Sequence, residues 1–330
     1  MSRIQFSVTV LMVCICFFSC GSLPRPVTML RESEYWQQPR TGSYVLQMES
    51  QSGCLMYFGA RHTVNESSPQ MTEIERRWDS FRPTMAFSEG CVWPLESTRE
   101  EAIRKHGEQG LLRYLAARDH VPILCIEPCP RNEAAFLFRK FSAKQIKLFY
   151  VLRQAVVQNM LNRDPRDTGY VRIILEKLSA IQFLKAPPAT LADVEREVVR
   201  QFPELPDWRK IPENYFYGPE ETSWLSKIHR MVNECRDRHM VSRLFSELKK
   251  GKRVFALVGR SHVAIQEPAL TVFLKELKNA TLIVYQSSAD RRISGNDSDR
   301  MGISSVFEFS ALSSSGEMAK QAPAENKTGR

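Results

Sequence analysis

Val254-Phe255-Ala256-Leu257-Val258-Gly259-Arg260-Ser261-His262 is an apolar run that turns on a glycine and ends, three residues later, in a histidine. The same shape stands 200 positions earlier, in Tyr57-Phe58-Gly59-Ala60-Arg61-His62. Five or so apolar residues bounded by turn signals read as a strand buried on both faces. A glycine directly after it lets the chain leave the strand sharply. Three further short runs, Thr84–Phe87, Val121–Ile126 and Thr281–Tyr285, have the same strand character, and the first two run into Glu89-Gly90 and Glu127-Pro128.

Helical periodicity fills the gaps between the early runs. Met71, Ile74, Trp78 and Phe81 recur at three and four, Ala102 to Ala117 reads as a second helix weakened by Gly107 and Gly110, and Pro268–Leu277 follows the fourth run with Pro268 in a first turn. Strand and helix in alternation predict an α/β fold with a central, largely parallel or mixed sheet. The repeated Gly-x-x-His makes that sheet one of two related halves. Residues 131–250 differ: they are long, helical and interrupted by Pro187-Pro188, Pro203, Pro206, Pro212 and Pro219. They are expected to form a helical insertion between the early strands and the last two.

The chain ends are read from composition. Arg3, the apolar stretch Phe6 to Phe18 and the small residues around Cys20 describe an export signal over 1–20. About thirteen apolar residues are too few to span a bilayer, which takes about 20. Phe17-Phe18-Ser19-Cys20 resembles a lipobox, with Cys20 as the lipidated residue and hydrophilic sequence following at once. The expected order is therefore a signal over 1–20, a tether over 21–44, the folded domain over 45–288 and a low-complexity tail over 289–330. That order predicts an exported protein of the cell envelope, held to a membrane through a lipid anchor.

Of 330 residues, 43 % are hydrophobic and 25 % charged, and 46 basic against 37 acidic side chains leave a net charge of +9. This is globular composition. The basic residues are interleaved with acids and form no aromatic-studded patch, so nucleic acid is not an expected partner. The chain has no phosphate loop GxxxxGK[ST], no Gly-x-Ser-x-Gly elbow and no His-Glu-x-x-His. Its eight cysteines follow neither a dense disulfide framework nor a zinc-ribbon spacing.

In open α/β sheets, ligands gather at the carboxyl ends of the strands. The residues there are His62, Glu89, Glu127 and His262. Two imidazoles and two carboxylates at one sheet edge suit a divalent metal site or a general acid–base site. A further charged stretch, Glu234-Cys235-Arg236-Asp237-Arg238-His239-Met240, lies on a helix expected over about 222–249.

The order strand-Gly-x-x-His, strand-Glu, Arg-Asp-x-x-Met and again Gly-x-x-His resembles the TraB/Tiki superfamily, related to the erythromycin esterases and the ChaN-like haem-binding lipoproteins. The resemblance covers about 54–90 and 230–286. It implies an α/β sheet of two related halves. In the Tiki branch it implies a hydrolase, a metallopeptidase, whose divalent ion (Mn, Co or Zn) is held by His62, Glu89 and His262. In the esterase branch it implies a metal-free enzyme with His62 as general base, and Arg236 holding substrate charge or a developing oxyanion. The ChaN branch implies a non-enzymatic haem- or peptide-binding lipoprotein, with Tyr57 or His106 as alternative ligands. Arg61, Glu127 and Arg260 stand beside these positions and are the expected contacts of a peptide or small-molecule substrate.

Overall fold

The computed structural model describes residues 28–37, 42–90, 93–160, 163–217, 223–277 and 279–286. The export signal, Cys20 and the tail over 289–330 lie outside them. A short helix, α1 (Glu32–Gln37), precedes two antiparallel strands, β1 (Tyr44–Glu49) and β2 (Cys54–Ala60). Helix α2 (Pro69–Phe81) follows, started by a proline where no amide donor is needed, with Met71, Ile74, Trp78 and Phe81 all buried as one stripe. Next come β3 (Met85–Ser88), α3 (Arg99–Arg118) and β4 (Ile123–Cys125). The Thr98 hydroxyl caps α3 by accepting the Glu101 N–H at 3.1 Å.

The middle of the chain is helical: α4 (Pro130–Leu137), α5 (Ala143–Met160), α6 (Gly169–Ser179), α7 (Leu191–Gln201) and the long α8 (Trp224–Lys249). The chain then returns to the sheet with β5 (Arg253–Gly259), α9 (Arg260–Leu274) and β6 (Thr281–Gln286). The fold is therefore mixed α/β, and the strands run β4-β3-β5-β2-β1-β6 across one sheet. The neighbours β4, β3, β5 and β2 are parallel, while β1 pairs antiparallel with both β2 and β6.

All seven residues of β2 and six of the seven in β5 are buried, as central strands covered on both faces require. Side chains alternate between two cores. Tyr57 and Val258 face Met240, Leu244 and Phe273. Phe58 and Leu257 face Trp78, Leu111 and Leu112 on the other side. A third core, including Phe149, Ile174, Val194 and Val232, belongs to the helical layer.

The register places the two Gly-x-x-His segments. Ala60, the end of β2, lies opposite Gly259, the end of β5, so His62 and His262 leave neighbouring strands at one edge. Their later paths differ. After β2 the chain loops before α2, whereas α9 starts directly at Arg260, capped by Gly259. The helix thus begins earlier than the proline suggested, and Pro268 sits inside it. Gly59 has no room for a side chain, since a Cβ there would stand 2.7 Å from Tyr44 O and 2.9 Å from Val263 Cγ2.

Residues read as a tether also differ from expectation. Leu30 N–H donates to Ile265 O at 3.0 Å and Tyr35 is buried in the sheet core, so residues 28–37 are packed onto α9. Strand β1 carries a weaker sequence signal than the others, because Gln47 interrupts its apolar pattern. Among the described residues no helix is long and apolar enough to cross a membrane.

Glu32 fastens α1. Its carboxylate accepts Trp36 Nε1 and Asn233 Nδ2, each at 3.4 Å, and lies 3.6 Å from His229 Nε2. Burial opposes the charge, but His229, Trp36 and Asn233 outweigh it and draw the carboxyl down to about 2. A carboxyl held below its unfolded value stabilises the fold above that value and loses the contribution as pH falls through the folded one. Wild type is therefore expected to lose stability more steeply than Glu32→Gln between about pH 4.5 and 2. The gap between the two in thermal denaturation, about 3 kcal/mol at neutral pH, closes over that window. A constant gap across the window contradicts this account.

Candidate active site

Glu89 follows β3 directly and continues its pairing with β5, donating its N–H to Leu257 O at 3.2 Å. Its carboxylate accepts the Gly259 N–H on Oε2 and Arg236 Nη2 on Oε1, the latter at 2.7 Å. The same Nη2 reaches Glu127 Oε1, just beyond β4. Arg236 projects from the middle of α8 and is 1 % exposed, with Glu89 at 3 % and Glu127 at 7 %. A guanidinium stays charged in such a place only when carboxylates compensate it, and here two do.

His262 stands in the first turn of α9. Its Nε2 lies 3.4 Å from Glu89 Oε1, and its Nδ1 lies 2.6 Å from Asp237 Oδ1. One turn further on, Gln266 Nε2 donates to the same Asp237 oxygen at 2.6 Å, while Gln266 Oε1 accepts the Tyr57 hydroxyl at 2.8 Å. The charges decide the protonation. Burial disfavours an imidazolium, but the carboxylates of Asp237 and Glu89 overcome it and raise His262 to about 10. Glu89 is held far below the usual carboxylate range, because His262 and Arg236 outweigh its burial. Tyr57, buried beside Asp237 and Glu89, is driven well above a phenol's ordinary value.

His62 occupies the loop after β2. Its Nδ1 is 2.6 Å from Glu108 Oε1, and Glu108 Oε2 accepts the Thr63 N–H at 3.2 Å. Glu108 comes into reach because Gly107 breaks α3 with φ 60, a left-handed value. A Cβ on Gly107 would stand 2.7 Å from Thr63 O, so the close approach of loop and helix also needs glycine. The His62 side chain is 31 % exposed above a Glu108 that is 3 % exposed. Burial lowers its affinity for a proton, yet Glu108 and the more distant Glu89 prevail and raise its pKa. The charge of His262 opposes that rise.

Thus Arg236 and His262 both contact Glu89, whereas the contact of His62 is Glu108. Other expected positions fall elsewhere. Glu127 is a buried counter-ion of Arg236 and not a surface contact for substrate. Arg236 in turn already has two carboxylates in place of a substrate anion. Arg260 Nη1 donates to Gly42 O at 2.9 Å, and the backbone of Arg61 is held by Gln70 through two bonds of 2.8 Å. Tyr57 is 0 % exposed with its hydroxyl on Gln266, and His106 lies 2.9 Å from Glu96 while stacking on Trp93, so neither stands open as a haem ligand.

Asp237, Gln266 and Glu108 also hold the two histidines, and the strand-end rule does not point to them. Asp237 adjoins Arg236 and was visible in the same charged stretch. Gln266 lies four residues after His262, a helical neighbour once α9 is known to start at Arg260. Glu108 had one signal, the glycine before it.

The residues expected to hold a metal ion do not fit one in this arrangement. Both oxygens of Glu89 are engaged by Arg236, His262 and the Gly259 amide, and His262 keeps a proton at neutral pH. A metal ligand must be deprotonated. Among the described residues no three His, Cys, Asp or Glu side chains gather as a ligand set. No family model, curated protein or solved structure matches the chain.

Removing one member of a buried charge cluster strands the others. Arg236→Met is expected to destabilise the fold by about 3–5 kcal/mol in denaturant unfolding. The triple variant Glu89→Gln, Arg236→Met, Glu127→Gln should recover most of that loss. No recovery in the triple variant refutes charge compensation as the role of Arg236.

Proposed function

We propose that the chain is a hydrolase of ester or amide bonds in a small substrate, with His62 as general base. The observation that carries this reading is the 2.6 Å contact between His62 Nδ1 and the buried Glu108, below an imidazole left partly open to solvent. A buried carboxylate on Nδ1 fixes the tautomer, aims Nε2 outward and stabilises the imidazolium that forms. Water bonds to the acyl carbon while its proton passes to His62 Nε2. The same proton returns to the leaving oxygen or nitrogen as the acyl bond breaks.

The Tiki-like alternative, a divalent ion held by His62, Glu89 and His262, draws support from the carboxylates on both Nδ1 atoms, which are the usual outer partners of metal-binding histidines. Such an ion would have to displace Arg236 from Glu89 and the proton from His262. An amino-terminal export signal with a lipidated Cys20 would set either enzyme at the cell envelope, and Cys20→Ser is then expected to abolish lipid labelling and release the protein from membranes.

His62→Gln is expected to lower kcat on model esters and acylamides by 10²-fold or more, with the fold intact. Glu108→Gln should lower it less. Because the base works only when neutral and its pKa is raised, wild-type activity should climb with pH on a limb centred above the ordinary 6.5. Glu108→Gln should move that limb to lower pH. Turnover should withstand chelators, and the purified protein should hold far less than one equivalent of metal. One equivalent that is lost in both His62→Ala and His262→Ala overturns the metal-free reading in favour of the metal-dependent one.

A further inference from the structure

Strands β2 and β5 are parallel neighbours whose connections leave to opposite faces of the sheet. After β2 the chain enters α2, whose Ile74 and Trp78 pack in one core, and after β5 it enters α9, whose Leu270 and Phe273 pack in the other. Open α/β sheets bind their ligands in the crevice outside the carboxyl ends of such strands. Strand β3 lies on the far side of β5 and leads to α3, on the same face as α2. With neighbouring strands about 4.8 Å apart, the loops after β2 and β3 start about 10 Å from each other.

Two of the three most exposed large apolar side chains among the described residues stand on these loops, Val64 at 61 % and Leu95 at 53 %. One exposed apolar side chain alone is ordinary on a protein surface. These two belong to loops tied to a single turn of α3. Val64 follows His62 by two residues, and its Cγ1 is 4.0 Å from the point where a Cβ on Gly107 would stand. Gly107 directly precedes Glu108, the carboxylate on His62 Nδ1. Leu95 directly precedes Glu96, which meets His106 Nε2 at 2.9 Å, and the His106 ring is stacked on Trp93 with centroids 5.1 Å apart. The loops are thus fastened to consecutive residues of α3, His106 and Gly107, beside the His62–Glu108 pair. The carboxylates at this place are engaged, Glu96 by His106 and Lys105, and Glu108 by His62 and the Thr63 N–H. They do not select a cationic substrate.

We propose that Val64 and Leu95 are specificity residues of the candidate hydrolase, forming a shelf for an apolar acyl chain whose carbonyl carbon lies at His62. Each methylene that a ligand buries on such a shelf is worth about fourfold in binding. The assignment rests on the hydrolase reading, because it names the substrate class of that site, but the shelf takes up an apolar chain without turnover.

Hydrolysis of p-nitrophenyl acetate and p-nitrophenyl hexanoate by the full chain tests this. In wild type, kcat/KM is expected to be at least tenfold higher for hexanoate than for acetate. In Val64→Ser/Leu95→Ser that ratio should fall close to one, and equal melting temperatures establish that the variant folds. Binding is read separately in His62→Gln, by nuclear magnetic resonance of methyl-labelled protein. There hexanamide should shift the methyl signals of Val64 and Leu95, and acetamide should not. Equal wild-type rates on the two esters, a hexanoate preference that survives in the double variant, or hexanamide that leaves both side chains unmoved overturns the shelf. Failure of the hydrolase reading is distinct: hexanamide then still shifts Val64 and Leu95, while His62→Gln cleaves the esters as fast as wild type.

Discussion

A single guanidinium, inserted from the middle of a helix between the ends of two strands, sets the geometry at the sheet edge. Arg236 brings Glu89 and Glu127 together although they follow different strands, β3 and β4, and its burial requires both. Glu89 then receives the Gly259 amide and stands against His262, which ties β5 and α9 to the same point. Coulomb attraction of this kind is strong in a dry interior and weak in water. The apolar strands around it, such as Phe87 and Val258, are therefore part of the electrostatic design.

The Arg236 cluster also divides labour between the two histidines. His262 is enclosed by two carboxylates and holds its proton far into the alkaline range. His62 has one close carboxylate and a share of solvent, and Glu108 raises its pKa against the cost of burial. Two groups of one chemical type acquire opposite duties through their surroundings.

Much of the architecture was legible because it depends on short-range pattern. The runs at 54, 84, 121, 254 and 281 became β2 to β6, and the stripe from Met71 to Phe81 became the buried face of α2. The strand-end rule led to His62, Glu89, Glu127 and His262 before any geometry. What stayed hidden depends on contact across the chain. Strand β1 has few marks of its own and is recognised by pairing on both sides with β2 and β6. Asp237 and Gln266 matter because α8 and α9 lie together, and Glu108 because Gly107 bends α3 toward Thr63. The inward turn of Arg236 and Glu127 follows from burial, which residue type alone does not reveal.

Helix α8 belongs to two cores at once. Leu225, Ile228 and Val232 are embedded in the helical layer, whereas Met240, Val241 and Leu244 are embedded under the sheet, and Arg236-Asp237 lie between the two sets. Arg236 and Asp237 therefore stand where the two cores meet, so the one buried helix that joins the helical layer to the sheet also carries the charges at their junction.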